Sequence, residues 1–386
     1  MRLIVRYISF ILALILVFQC KKEEPEPEPE PEPPKEFKIV DGHFLDALIA
    51  QGFDVDSNRL IDSLEALAIE YLYVDSCNIS NMEGIQNFVN LREFDCRYNN
   101  LTSLDVTYNS YLEKLWCQEN QLTKLDISEN LLLQELICYE NAIKLLLVPD
   151  TTAALEYLEC QVNELANLNV SNYYDLKELT CYSNNLSFLG LANNTALTFL
   201  ECNGLTSLDL SNNLSLIYLG CTACSLTSLE ISNHSALETL RCNHCQLTSI
   251  DVSNNTLLSC LYCGGNQLTS LDISNNTNLS NLECWDNQLT ELDVSKNVSL
   301  EYLQCFQNQL TDLDVSHNTK LKYLWCGYNN ITTLDISNNT SLTNLNLEFM
   351  PSLYEVCVWT TPFPPWYTYV RDVGSPNVYY TAECSE

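Results

Sequence analysis

Positive charge is what this chain most lacks. Lysine and arginine number 18 against 50 aspartates and glutamates in 386 residues, a formal net charge of −32. That deficit excludes nucleic acid and anionic lipid headgroups as partners, since both are polyanions. Histidine is scarce too: His43, His234, His244 and His317. His234 and His317 fall on polar turn words and His244 on a loop, so no nucleophile–base pair emerges. The ten glycines are scattered, which leaves no Gly-rich loop to cradle a phosphate. An enzyme is therefore not expected. The apolar run from Ile8 to Phe18 is too short to span a bilayer and has the length of a signal-peptide core.

What the chain has is a period. Cys96, Cys117, Cys138, Cys160, Cys181, Cys202, Cys221, Cys242, Cys263, Cys284, Cys305 and Cys326 each close the phrase L-x-x-L-x-C. The words that follow are nearly constant, x-x-N-x-L-T-x-L-D-[IV]-S-x-N, as in "LEYLQCFQNQLTDLDVSHNTK" from Leu300. Self-similarity at about 21 residues is the mark of a solenoid. With Leu300 as position 1, Leu303 and Cys305 are two apart, the spacing of a strand. Positions 3 to 5 are thus expected to pair in parallel with their copies in adjacent coils. Cysteine at position 6 acts as a small buried hydrophobe. Asn308 and its equivalents at position 9 can satisfy backbone groups left unpaired by the turn. About fourteen coils fit between Ile69 and Leu342. Two are irregular: the coil at Leu133 has 22 residues and the coil at Leu197 has 19.

This phrase resembles the leucine-rich repeat, and its 21-residue form with a cysteine ladder is similar to that of the internalins. The resemblance covers residues 69 to about 350. It implies a leucine-rich repeat solenoid with a curved parallel β-sheet on the concave face, extended or turn segments on the convex face and caps at both ends. It also implies protein–protein recognition or adhesion as the function. The alternatives are a carbohydrate-binding protein or a structural envelope component without a specific ligand.

The ends suggest an address. Residues 1–19 read as a signal peptide, and "VFQC" resembles a bacterial lipobox in which Cys20 is the lipid anchor. Residues 20–37, with alternating Glu and Pro, should remain extended as a tether. Charged residues just after Cys20 resemble the export signal of Bacteroidota surface lipoproteins. The expected place is the outer membrane, exposed at the cell surface. The expected partner is a protein or glycan on another cell or in the envelope, met by a monomer.

Residues 38–68 read as a helical cap. Asp54, Asp56, Asn58, Asp62 and Glu65 take positions 1, 3, 5, 9 and 12 of a calcium-binding loop, but Arg59 stands where the loop requires glycine. Calcium is the only cofactor this chain suggests. Residues 351–386 read as a C-terminal cap, with Cys357 and Cys384 expected as a disulfide. The pairs Cys221-x-x-Cys224 and Cys242-x-x-Cys245 match a zinc-ribbon spacing. The repeat already assigns Cys221 and Cys242 to the ladder, while Cys224 and Cys245, like Cys77, replace the position-9 Asn. Cys260 falls at position 3 and should face outward.

Positions 3 and 5 point onto the concave face, where aromatics recur. Trp116, Tyr157, Tyr218, Tyr262, Tyr302, Tyr323 and Trp325 are the candidate ligand contacts, with the last three the densest patch. Trp285, Phe306 and Tyr328 sit just beyond the strands. Tyrosine and tryptophan suit strands anywhere, but they also anchor interfaces.

Overall fold

The computed structural model describes residues 36–384; the signal segment, Cys20 and most of the tether lie outside the described residues. Fifteen three-residue strands, from Tyr71–Tyr73 to Tyr369–Arg371, form one parallel sheet on the inner, concave side. Pairing is in register from coil to coil: Leu282, Leu303 and Leu324 align. The middle residue of each repeat strand is a leucine or phenylalanine turned into the core, and the flanking two face out. The strands are short because period-two spacing lasts only from the second leucine to the cysteine.

All twelve ladder cysteines are buried and free. Burial disfavours the thiolate, so the thiols of Cys138, Cys263 and Cys326 are pushed up to about 12. On the outer side the chain is extended or turned. Lys124–Asp126 pairs with Leu145–Leu147, and Thr333–Asp335, Glu355–Cys357 and Tyr379–Thr381 form a second outer sheet.

Two asparagine ladders hold the coils together. At position 9, Asn308 Nδ2 donates to the carbonyls of Cys284 (3.0 Å) and Cys305 (3.1 Å), while its Oδ1 accepts from Leu289 N at 3.0 Å. Each such residue satisfies groups of two coils at once. The residue before it is left-handed in coil after coil, for example Glu119 (φ 52°), Gln307 (57°) and Tyr328 (55°). Gly204 and Gly265 take the same slot at no steric cost. The second ladder lies three residues before each opening leucine. Asn318 Nδ2 there bonds Val294 O and Asn297 O at 3.0 and 2.9 Å. His234 belongs to this ladder rather than to a solvated turn: it is 2% exposed and its Nε2 lies 3.2 Å from Leu210 O. Tyr173 fills the same slot one coil before Asn194 and is also buried.

The first ladder is interrupted. The short coil at Cys202 has no asparagine at the ladder position, and the next two carry Cys224 and Cys245. Cys245 Sγ reaches Cys221 O at 3.2 Å and Asn243 O at 3.8 Å, weak thiol bonds in place of those of an amide.

Among the described residues, helix is confined to the N-terminal cap, Gly42–Ala50 and Ser63–Leu67, apart from a 3-10 turn at Ile85–Asn87. Asp41 caps the longer helix through His43 N and Phe44 N and also accepts from Ser80 N, Ser80 Oγ and Asn81 N. Burial alone would raise this carboxyl, but the hydrogen bonds prevail and lower it. One side chain thereby fastens the cap to the first coil. Phe44 packs against Phe88, whose ring also meets Phe37 edge-on at 6.1 Å. No helix among the described residues is long and apolar enough to cross a membrane.

The C-terminal segment continues the stack instead of merely lidding it. Tyr369–Arg371 pairs with Asn344–Asn346 as the last inner strand, and Glu355–Cys357 and Tyr379–Thr381 extend the outer one. The frame fades in sequence because Val356 and Val370 replace leucine and because 25 residues separate Asn344 from Tyr369. Cys357 and Cys384 are disulfide-bonded with Cα atoms 5.4 Å apart.

Candidate binding face

The outward residues of the inner sheet divide into three stretches. The N-terminal strands are ionic. Arg92 pairs with Glu113, Lys114 Nζ lies 3.0 Å from Glu93, and Arg97 Nε lies 3.1 Å from Asp95. Tyr73 Oη donates to Glu93 Oε2 at 2.7 Å. This bond holds the Tyr73 phenol up to about 12 and, ahead of the opposing cost of burial, draws the Glu93 carboxyl down. Trp116 Nε1 donates to Glu135 at 2.7 Å, and the Lys114 ammonium stands 5.7 Å from its ring.

The middle stretch is acidic. Glu135, Glu159, Glu178 and Glu201 occupy outward strand positions, and none is in an ion pair among the described residues.

The C-terminal stretch is aromatic. Phe199 stacks on Tyr218 at 4.2 Å, and Tyr302 on Tyr323 at 4.6 Å. Arg241 stands 4.9 Å from the Tyr262 ring, and Asn281 Nδ2 donates to Tyr262 Oη at 3.4 Å. Beside the strands runs a second row. Trp285 and Phe306 are stacked 5.5 Å apart and within 5° of parallel, and Trp325 leans on Phe306 at 6.4 Å. Tyr328 stacks on Phe349 at 4.7 Å. Gly264 makes room for this shelf, since a Cβ there would lie 2.4 Å from the Trp285 ring. Of the candidate contacts, the structure brings together Tyr302 with Tyr323, and Trp325 with the Trp285–Phe306 pair. Trp116, Tyr157, Tyr218 and Tyr262 lie on the same sheet but apart from that shelf. Phe349 escaped the sequence reading. Its signal was the left-handed slot two residues after the ladder position, where Tyr328 already stood.

The N-terminal loop brings Asp54, Asp56 and Glu65 together, with a carboxylate oxygen of each within 4.8 Å of the others. Asp62 is drawn away to cap Ser63–Leu67 in a capping box with Glu65. Asn58 binds Asp56 and Leu60 N. Arg59 does make the turn that sequence reasoning expected it to resist, at φ 64°. Its guanidinium points away and pairs with Asp46 at 2.8 Å. Asp54, Asp56 and Glu65 are thus the three residues placed to hold a cation, while Asn58 turns its oxygen to Leu60 N.

The four cysteines of the zinc-ribbon spacing do not form a metal cluster: no three of their sulfurs converge within 4.8 Å. Cys260 is half-buried on the inner sheet. On the outer side a groove of about 650 Å³ is lined by Ser270, Asp272, Thr290, Glu291, Asp293 and Thr311, among others. Asp272, Asp293 and Asp314 each accept from the serine two residues on; its hydroxyl foremost at Asp293 and Asp314, and its N–H foremost at Asp272, lower their carboxyls. The repeated aspartate is thus a turn cap as well as a source of charge.

The family model for leucine-rich repeats in two copies matches residues 298–339. No curated protein matches. Among solved structures, the chain is similar to the functional domain of InlJ from Listeria monocytogenes, which includes a cysteine ladder. Identity is 30% over 80% of this chain and 79% of that one, with a TM-score of 0.58. A leucine-rich repeat protein of Leptospira interrogans is 25% identical over 70% of this chain and 76% of its own, with a TM-score of 0.64. The internalin InlF of Listeria monocytogenes shares the fold at 19% identity, covering 90% and 96% of the two chains at a TM-score of 0.63.

Proposed function

The chain belongs to the leucine-rich repeat family, and on that premise we propose that it is a cell-surface recognition protein whose inner sheet binds a protein partner. Such solenoids serve internalins and receptors as non-catalytic interaction scaffolds. The observation that carries the reading is the aromatic shelf of Trp285, Phe306 and Trp325 beside the Tyr302–Tyr323 stack. Aromatic side chains supply large contact area at little entropic cost and dominate interface energetics. Cys20 and the Glu/Pro tether support attachment as an outer-membrane lipoprotein that holds this face away from the membrane.

A second reading is carbohydrate capture. Near-parallel rings form a platform for sugar faces, and Glu283 with Gln304 beside them offers hydroxyl partners. Trp285 Nε1 and Gln304 Nε2 both reach the Glu283 carboxylate, at 3.3 and 3.4 Å. A parallel screen of the protein on a glycan array and on extracted surface proteins separates the two. A specific protein signal lost in Trp325→Ala supports recognition of protein. A glycan signal lost in the same variant transfers the face to carbohydrate. Binding indifferent to Trp325→Ala and Trp285→Ala sinks both readings and leaves a structural envelope role. Protease treatment of intact cells tests the location, since an undigested solenoid would count against surface display.

A further inference from the structure

Thiols crowd the break in the first asparagine ladder. Cys202, Cys221 and Cys242 belong to the cysteine ladder there, and Cys224 and Cys245 stand one coil apart in the position-9 slot. Elsewhere in this slot the side chain reaches back across the gap between coils: Asn266 Nδ2 meets Cys242 O of the preceding coil at 2.9 Å. Cys245 keeps that direction, with Sγ 3.2 Å from Cys221 O. Its sulfur is therefore turned toward the coil that carries Cys224. The backbone is matched as well. Ala223 and His244, the residues before the two cysteines, are both left-handed at φ 54°, and Ala223 N donates to Asn243 O at 2.8 Å. Equivalent Cα atoms of paired coils stack at about 4.8 Å, inside the roughly 4.4–6.8 Å that a disulfide spans. Stacked Cβ atoms must lean together by about 1 Å to reach disulfide geometry. These coils lack the asparagines that fix the spacing of their neighbours.

The thiols are not equivalent. Cys221 first, and Cys224 next, donate toward the Cys245 sulfur and draw its thiol down against the opposing effect of burial. Interaction with Cys202 and then with Cys245 pushes the Cys224 thiol up. Cys245 is thus the thiolate former, and Cys224 is the neighbour that keeps its proton. Access favours the same pair. The three ladder cysteines are at most 1% exposed, whereas Cys224 is 3% and Cys245 5% exposed. Both are free in this structure.

We propose that Cys224 and Cys245 are a thiol pair that an organic disulfide converts to an intramolecular disulfide, a covalent clasp across the coils that lack the asparagine. The Cys245 thiolate attacks one sulfur of RSSR, forming a mixed disulfide and releasing RS⁻. Cys224 then attacks the Cys245 sulfur and expels the second RS⁻. The two thiol protons leave with two RSH, so the chain loses two electrons and the reagent gains them.

The test incubates the native full chain with oxidised glutathione, traps the remaining thiols with iodoacetamide and maps linked peptides by mass spectrometry. A Cys224–Cys245 link is expected, and dithiothreitol should remove it. Oxidation should slow proteolytic nicking between Asn203 and Gln246 about tenfold or more. Cys224→Asn/Cys245→Asn gives this slot the residue of its neighbours, so the fold is kept; it should show no link and no response of nicking to glutathione. Cys77→Asn, which changes the same slot in the first coil, should keep both. A glutathione adduct that never resolves overturns the clasp, as does a native chain in which the pair does not react. So does a link through Cys202, Cys221 or Cys242, a link formed only in urea, or protection that survives in the double asparagine variant.

Discussion

The two ends of the inner sheet share one backbone and use opposite surface chemistry. Near Tyr73 and Lys114, the ionic side chains Arg92, Arg97, Lys114, Glu93 and Glu113 are matched within the sheet. From Tyr302 to Phe349 and at Trp285, rings are stacked on one another, with the amides and the Glu283 carboxylate beside them. A matched ionic surface offers little to a partner, because every new contact must first replace an existing one. Stacked rings remain half-exposed and give up only water on contact. The same repeat therefore produces a self-satisfied region and one rich in exposed ring surface, according to what fills positions 3, 5 and 7.

The largest expected effect breaks this contrast directly. Trp285→Ala/Trp325→Ala should cost a protein partner about 30-fold or more in affinity, roughly 2 kcal/mol or above. Tyr73→Ala/Lys114→Ala should stay within about threefold, measured by interferometry on the same partner. Equal losses at the two ends would erase the distinction. Gly264→Val should come next. Its side chain would strike the indole at 2.4 Å, so Trp285 must leave the shelf. Affinity should fall about tenfold while the circular dichroism spectrum is kept, with a shift in tryptophan emission reporting the displaced ring.

Smaller effects concern the ionic end. Glu93→Gln/Lys114→Met should change unfolding free energy by less than about 1 kcal/mol in urea, since both partners are partly solvated. A loss of several kcal/mol would show that the network is structural. The smallest effect is a titration. Tyr73 is raised to about 12 chiefly by its bond to Glu93. A raised folded value means that its contribution to stability is complete below pH 10 and is lost as pH climbs through about 12. The tyrosinate absorbance difference between the parent and Tyr73→Phe should therefore have its midpoint near 12. In a Glu93→Gln background it should move down toward 10.

Much of the fold was legible because one phrase carried it. The inner strands from Lys114–Trp116 through Tyr323–Trp325 follow from the spacing of leucine and cysteine, and the two before them from Ile69, Leu72, Val74 and Phe94 in the same frame. The continuation through Tyr369–Arg371 was not legible, because valine replaced leucine and the interval lengthened. His234 was misread because "SNH" has the composition of a solvated turn. Only its place in the register shows that it stands where Asn255 and Asn276 are buried. The candidate face was legible as a row of outward side chains, since strand alternation fixes direction. Which rings lean on which was not, because tilt depends on neighbours such as Gly264. Arg59 shows a different limit: a residue disfavoured at positive φ adopts it where its N–H donates to Asp54 Oδ2 at 3.0 Å.

The gap in the first asparagine ladder carries a mechanical consequence. Between Asn184 and Asn266, the coils at Cys202, Cys221 and Cys242 lack the asparagine of the first ladder and are tied there only by the weak bond of Cys245 to Cys221 O, the second ladder and the strands. In a one-dimensional array, cooperativity is only as continuous as the interfaces between neighbours. Under tension between its two ends, the solenoid should yield first at this seam, which would act as a fuse. The acidic stretch of the inner sheet and the aromatic shelf lie on opposite sides of the fuse. A partner that bridges both would splice the seam, and its grip would be read as resistance to pulling.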